Sequence, residues 1–139
     1  MLKFGLWQSN PIVGDVRGNL NRLAEMVGLH GHACDVVVAP ECFSTGYPLE
    51  DLLNKPSFRQ TILDEVQHFA GIVADGPDIL LGSPWLVEGG WYNCVLHIAE
   101  GQVRDVRAKH KLPDHGVFDD PRIFLAGGVP GPIMVKGHK

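Results

Sequence analysis

Apolar and polar residues alternate with two different periods along this chain. Leu2-Lys3-Phe4-Gly5-Leu6-Trp7 alternates apolar with polar or small residues, which predicts an opening strand. Asn10-Pro11 and Gly14-Asp15 then mark a loop. From about Asn19, apolar residues at Leu20, Leu23, Ala24 and Val27 recur at i, i+3, i+4 and i+7, one face of a helix. Gly28 and Gly31 bracket its end. Asp35 precedes the apolar run 36–39, which reads as a strand buried on both faces. Pro40 cannot extend a central strand, so Glu41 falls at the strand's C-terminal end or just beyond it.

Residues 44–51 are loop-like, with room for one helical turn. Ser57-Phe58-Arg59-Gln60 reads as a capping box, with Ser57 as N-cap and Gln60 at N3. Phe58, Ile62, Val66, Phe69 and Val73 then give a second amphipathic helix, stopped by Gly76-Pro77. Residues 78–82 form another buried strand. The strand-like runs 91–98 and 103–108 flank Ala99-Glu100-Gly101-Gln102, a hairpin signal in which Gly101 supplies a positive φ. After Lys109 the periodicity is lost, and Asp114, Gly116, Asp119, Asp120 and Pro121 predict a long loop. The tail from Gly127 is expected to be irregular apart from a short run at residues 133–135. Strand, helix, strand, helix and three further strands make an α/β fold, with helices covering a sheet.

The 139 residues suffice for one domain, able to bury roughly two-thirds of the unfolded surface. With 12 basic and 16 acidic residues the net charge is -4, so no basic surplus suggests a nucleic acid or an anionic membrane as partner. The apolar runs are strand-sized, far from the roughly 20 residues of a bilayer span. The N-terminus lacks the pattern of a signal peptide. Cys34, Cys42 and Cys94 are odd in number and widely spaced, which suits free thiols in a reducing compartment. A cytoplasmic location is expected.

Two residues stand out for chemistry. Glu41 lies where open α/β sheets place ligands, and its apolar sequence neighbours predict a sheltered carboxylate suited to general-base work. The competing reading is a carboxylate that braces a loop or caps a helix. Lys109 ends a strand-like run and could stabilise an oxyanion at a carbonyl, or could be a solvated strand-end lysine. His30-Gly31-His32-Ala33-Cys34 gathers ligand-type residues but lacks a second ligand pair at zinc spacing. It fits a helix C-terminus better. Cys42 reads as a small buried hydrophobe rather than as a partner of Glu41.

Several segments together resemble the carbon–nitrogen hydrolase (nitrilase) superfamily, most closely its branch of N-terminal glutaminase domains from glutamine-dependent NAD synthetases. They are Gln8-Ser9-Asn10-Pro11 with Val13-Gly14-Asp15 and Gly18-Asn19, and Pro40-Glu41-Cys42-Phe43-Ser44-Thr45-Gly46-Tyr47-Pro48 with Glu50-Asp51-Leu52-Leu53. Later come Gly82-Ser83-Pro84-Trp85, Tyr92-Asn93, and Lys109-His110-Lys111-Leu112-Pro113 with Gly116-Val117-Phe118-Asp119. The resemblance implies a four-layer αββα sandwich, of which residues 1–139 would be the N-terminal half, with the synthetase domain absent. It implies a Glu-Lys-Cys triad that hydrolyses the side-chain amide of glutamine and supplies ammonia for ATP-dependent NAD synthesis. Glu41 would be the general base and Lys109 the oxyanion stabiliser, with Tyr47, His115 and Asp120 on the substrate side. No cofactor is implied in this domain, and ATP and Mg are implied in the synthetase domain. The implied partners are glutamine and the synthetase domain or the rest of the hydrolase domain, in a full-length homo-oligomer.

The sequence departs from that pattern in three places. His115 stands where a tyrosine is usual, Asp120 stands where a glutamate is usual, and no cysteine follows Lys109, where the nucleophile is expected. The chain by itself is therefore expected to be inactive. Two other readings stay open: a piece of another amidase of the superfamily, and a non-catalytic remnant that binds a partner through an uncovered sheet face and edge.

Overall fold

The computed structural model describes residues 1–116 and 118–139. Val117, in the Gly116-Val117-Phe118-Asp119 segment, lies outside the described residues. The elements run β1 (Phe4–Leu6), α1 (Val16–His30), β2 (Val36–Val38), α2 (Pro56–Ile72), β3 (Asp78–Val87), β4 (Gly90–Ala99), β5 (Gln102–Ala108) and α3 (Asp120–Ile123). The expected α/β class and element order hold, and the sheet is mixed.

Its five strands lie in sequence order. β1, β2 and β3 pair in parallel, through Gly5 opposite Val37 and Val37 opposite Ile79. β3, β4 and β5 pair antiparallel. Both parallel crossovers step the same way across the sheet. Right-handed connections then put both helices on one face, and α1 packs against α2. Leu20, Leu23 and Val27 of α1 and Ile62, Val66 and Phe69 of α2 are buried in one core with Val37, Ile79, Leu81, Leu96 and Ile98.

The opposite face carries the residues that alternate with these. There Asp78 accepts a 2.8 Å hydrogen bond from Nε2 of buried His97 and pairs with Lys136 of the tail at 3.4 Å. Arg107 donates to the carbonyls of Gly131 and Pro132 at 3.1 and 2.8 Å. Residues 129–139 are thus held to this face by side chains, with an isolated bridge between Val135 and His138.

The helix boundaries depart from the sequence reading for local reasons. Asp15 caps α1 by accepting from the Gly18 amide at 2.9 Å, so the helix starts at Val16 rather than at Asn19. The expected capping box at Ser57 and Gln60 does not form. Pro56 occupies the first turn and Lys55 the N-cap, without a side-chain cap. The ring of Pro56 presets the helical φ and its missing N–H is an orphan there anyway. Ser57 instead accepts, through its carbonyl, the Thr61 hydroxyl at 3.0 Å, and Gln60 donates to Asp64 at 2.8 Å.

β3 runs on through Pro84 to Val87, beyond the reach of β2, which pairs only to Leu80. Pro84 is therefore paired on one side alone, where proline is tolerated. The hairpin at Glu100-Gly101 forms with both residues at positive φ. A second one at Glu88-Gly89, unread in the sequence, has the same geometry. The loop after Lys109 contains the short helix α3.

Candidate active site

The chain leaves β2 at Val38 and turns at once. The amide of Ala39 donates to the Leu80 carbonyl at 2.9 Å, and the Ser44 amide to the Gly82 carbonyl at 3.2 Å. Residues 39–44 therefore lie along the free flank of β3. Gly82 permits this: a Cβ there would stand 2.0 Å from the Pro40 carbonyl oxygen and 2.7 Å from the Cα of Glu41. The residues after Glu41 turn inward. Cys42 takes φ +48, and its side chain is buried, as is Phe43. Cys42 is the small buried hydrophobe expected, although on left-handed rather than extended backbone.

Glu41 itself points outward, its side chain 54% exposed, so the sheltered carboxylate expected from its neighbours is not found. Cys42 and Phe43 turn into the core, and the Glu41 side chain does not follow them. Its Oε1 accepts two hydrogen bonds, from Nζ of Lys109 at 2.7 Å and from Nδ2 of Asn93 at 2.5 Å. Lys109 follows β5 directly. Its amide donates to the Asn93 carbonyl at 2.7 Å and its carbonyl accepts from the Gly127 amide at 2.8 Å, so its backbone is fixed on both sides.

Nζ of Lys109 also donates to Oδ2 of Asp120 at 3.0 Å. Asp120 is 1% exposed, and its Oδ1 accepts the Tyr47 hydroxyl at 2.8 Å. The buried carboxylate is thus satisfied by one cation and one hydroxyl. Partial burial works against the charge of Lys109. Its hydrogen bonds to Glu41 and Asp120 and their negative charges outweigh that, so its pKa lies above the ordinary lysine value. Burial and then the bond to Asp120 raise the Tyr47 phenol, which stays a neutral donor at physiological pH.

The structure brings Glu41, Lys109, Tyr47 and Asp120 into one hydrogen-bonded cluster. His115 stands apart: it is exposed, and its ring meets Phe118 edge-on at a centroid distance of 6.0 Å. Phe118 lies 6.3 Å from the Tyr47 ring, so His115 borders the site through one intervening aromatic. A cavity of about 210 Å³ opens between Pro40, Glu41, Tyr47, Lys109, Pro113 and Phe118. A neighbouring one of about 360 Å³ runs past Glu41 and Lys109 to Val95, Arg107 and Pro130. Asn93 belongs to the Tyr92-Asn93 motif, to which the sequence attaches no role. Its signal is a buried amide on a strand whose other buried side chains are mostly apolar.

None of the three cysteines is presented as a nucleophile. Burial, and then the charges of Glu41 and Asp120, push the Cys42 thiol far up. Burial pushes Cys94 up to about 12. Cys34 lies beyond the far end of the core strands, its Sγ 3.5 Å from the Gly31 carbonyl. His30 closes α1 and Gly31–Ala33 make a single 3-10 turn. Among the described residues no group of three or more His, Cys, Asp or Glu side chains could hold a metal ion. None of the described helices is long and apolar enough to cross a membrane.

The parallel three-strand unit extended by an antiparallel meander has the fold of part of a carbon–nitrogen hydrolase. A CN-hydrolase superfamily protein from Xanthomonas campestris superposes with a TM-score of 0.74 over 98% of this chain and 50% of that one, at 20% identity. At that identity the match speaks for the fold alone. The homologues of this chain are glutamine-dependent NAD(+) synthetases. The enzyme of Rhodobacter capsulatus is 36% identical over 131 residues, 94% of this chain and 24% of the relative. The structure of the glutamine-dependent NAD+ synthetase of Acinetobacter baumannii superposes with a TM-score of 0.89 at 30% identity, over 99% of this chain and 26% of that one. The chain therefore spans about a quarter of the length of these relatives. No protein-family model matches it.

Proposed function

We propose that this chain carries the base and the oxyanion-stabilising half of a glutaminase that feeds ammonia to NAD synthesis. The observation that supports it most is the 2.7 Å contact between Glu41 and Lys109, 68 residues apart in the chain, at the mouth of a cavity. Homology to glutamine-dependent NAD synthetases supports the glutaminase-type role.

On this reading Glu41 accepts the proton of a cysteine thiol supplied from outside these 139 residues. The thiolate attacks the carbonyl carbon of the glutamine side-chain amide, and the C=O electron pair moves onto oxygen. Lys109, held cationic between two carboxylates, faces that oxyanion. Collapse breaks the C–N bond, and Glu41 returns the proton to the departing ammonia. Glu41 then deprotonates water for hydrolysis of the thioester, giving glutamate and the free thiol. Tyr47 shapes the glutamine pocket, Asp120 anchors Tyr47 and Lys109 from behind, and His115 borders the entrance through Phe118. The ammonia passes to a synthetase domain that uses ATP with Mg. Within this chain Cys42 and Cys94 are buried and Cys34 lies beside Gly31, away from Glu41 and Lys109, so the 139 residues alone are expected to hydrolyse no glutamine.

Replacing the matching quarter of the Rhodobacter capsulatus synthetase with this chain gives the test. The chimera is expected to release ammonia from glutamine, and Glu41→Gln and Lys109→Met each to lower kcat about 10²–10⁴-fold. Ammonia release by the isolated chain, or a Glu41→Gln chimera at the parental rate, would overturn the proposal.

A further inference from the structure

The residues that the proposed chemistry leaves idle are Cys42 and Asn93. The Cys42 Sγ lies 3.6 Å from Oδ1 of Asn93, both side chains buried, and Nδ2 of Asn93 lies 2.5 Å from Oε1 of Glu41. A carboxylate only accepts hydrogen bonds, so the Asn93 atom facing it must be the NH₂ group. That fixes the amide, and the carbonyl end must then face the thiol. A neutral thiol is a donor and completes the chain in one direction: Cys42 to Asn93 to Glu41. Burial keeps Cys42 protonated, which holds it in the donor state.

One carboxylate oxygen of Glu41 is thereby occupied twice, by Asn93 and by Lys109. The two oxygens cease to be equivalent. The backbone carbonyl of Asn93 also accepts the Lys109 backbone amide, so one residue holds both members of the pair.

We infer that Asn93, oriented by the Cys42 thiol, is a positioning residue that occupies Oε1 of Glu41 and so leaves Oε2 as the oxygen that takes and returns the proton. The inference rests on the glutaminase reading for its catalytic meaning and on geometry for the rest. It assigns the buried thiol a role as a hydrogen-bond donor, not as a nucleophile.

Two measurements keep the inference separate from that reading. In the ¹⁵N-labelled chain, Glu41→Gln is expected to shift the Asn93 side-chain amide signals, and Cys42→Val to broaden or shift the same signals. Unchanged Asn93 amide signals in Glu41→Gln overturn the inference, whatever the activity.

In the chimera, Asn93→Asp keeps the shape but replaces the donor with a second carboxylate. It is expected to lower kcat at least tenfold with KM within twofold, and to lower the melting temperature as well, because a carboxylate buried against Glu41 is penalised. Cys42→Val should lower kcat severalfold, and Cys42→Ser, which restores a donor, should recover most of that loss. A chimera active in its parental form but indifferent to Asn93→Asp refutes the positioning role and leaves the glutaminase reading standing. An inactive parental chimera refutes the glutaminase reading, and the amide signals still decide the hydrogen-bond chain.

Discussion

Gly82→Ala should separate Glu41 from Lys109 without altering either side chain. The added methyl group would stand 2.0 Å from the Pro40 carbonyl oxygen, 2.8 Å from the Pro40 carbonyl carbon and 2.7 Å from the Glu41 Cα. All three are backbone atoms, so no flexible side chain can give way. A comfortable carbon–oxygen contact needs roughly 3.5 Å, so the Pro40-Glu41 segment must retreat by more than about 1 Å. The bonds from Glu41 to Asn93 and Lys109, 2.5 and 2.7 Å long, then approach or pass the useful limit. Overpacking costs about 1–3 kcal/mol and two weakened hydrogen bonds about 1 kcal/mol more. The sum, about 2–4 kcal/mol, corresponds to a fall in Tm of roughly 6–15 °C for a chain of this size.

Thermal unfolding of the chain followed by circular dichroism measures that fall. Gly28→Ala is the control. It sits in α1 where an added Cβ meets nothing within 4 Å, and it should raise stability by about 0.5–1 kcal/mol. In the chimera a displacement near 1 Å should lower kcat/KM about 10²-fold. A Gly82→Ala chain that melts with the parent, with glutamine hydrolysis intact in the chimera, would show that close packing against β3 does not position Glu41.

Pairing raises Lys109 above the ordinary lysine value of about 10.4, so its contribution to stability is complete below that pH and fades as pH climbs through the higher folded value. The difference in Tm between the parent and Lys109→Met should therefore hold level to about pH 9.5 and shrink above about pH 10.5. A difference that shrinks below pH 9 contradicts the assignment. Thiol labelling of the native chain near pH 8 should modify Cys34 first, while Cys42 and Cys94, buried and raised, react only on unfolding. Prompt modification of Cys42 would contradict its burial.

What could be read from the sequence was local. The run 36–39 and the Glu100-Gly101 turn carry their own structural instruction, in apolar continuity and in positive φ; the turn forms as expected and the strand forms over Val36–Val38, one residue short of the run. The start of α2 departs from the expected capping box because two adequate signals compete within three residues, and the rigid ring of Pro56 outranks the hydroxyl of Ser57. Within the site, Glu41 and Lys109 were legible by their places at strand ends and by resemblance. Their mutual distance was not, since it depends on a close approach permitted by a glycine 41 positions further on. Asn93 is marked in the sequence only as an amide on a mostly apolar strand, and its role is not legible there because its partners lie 51 and 52 residues away. His115 was grouped with the site by its place in a motif, yet the loop turns it outward.

The mixed character of the sheet has a consequence for the order in which this site comes apart. β3, β4 and β5 are joined by two-residue turns, whereas β1 and β2 reach their partners only across whole helices. Closing a longer loop costs more chain entropy, and contacts remote in sequence form later. Asn93 and Lys109 both ride on the meander, and Glu41 arrives with the costlier parallel half. Mild destabilisation should therefore release the Glu41 carboxylate first and leave the lysine tethered to its asparagine, so that loss of the Glu41–Lys109 contact precedes loss of the fold.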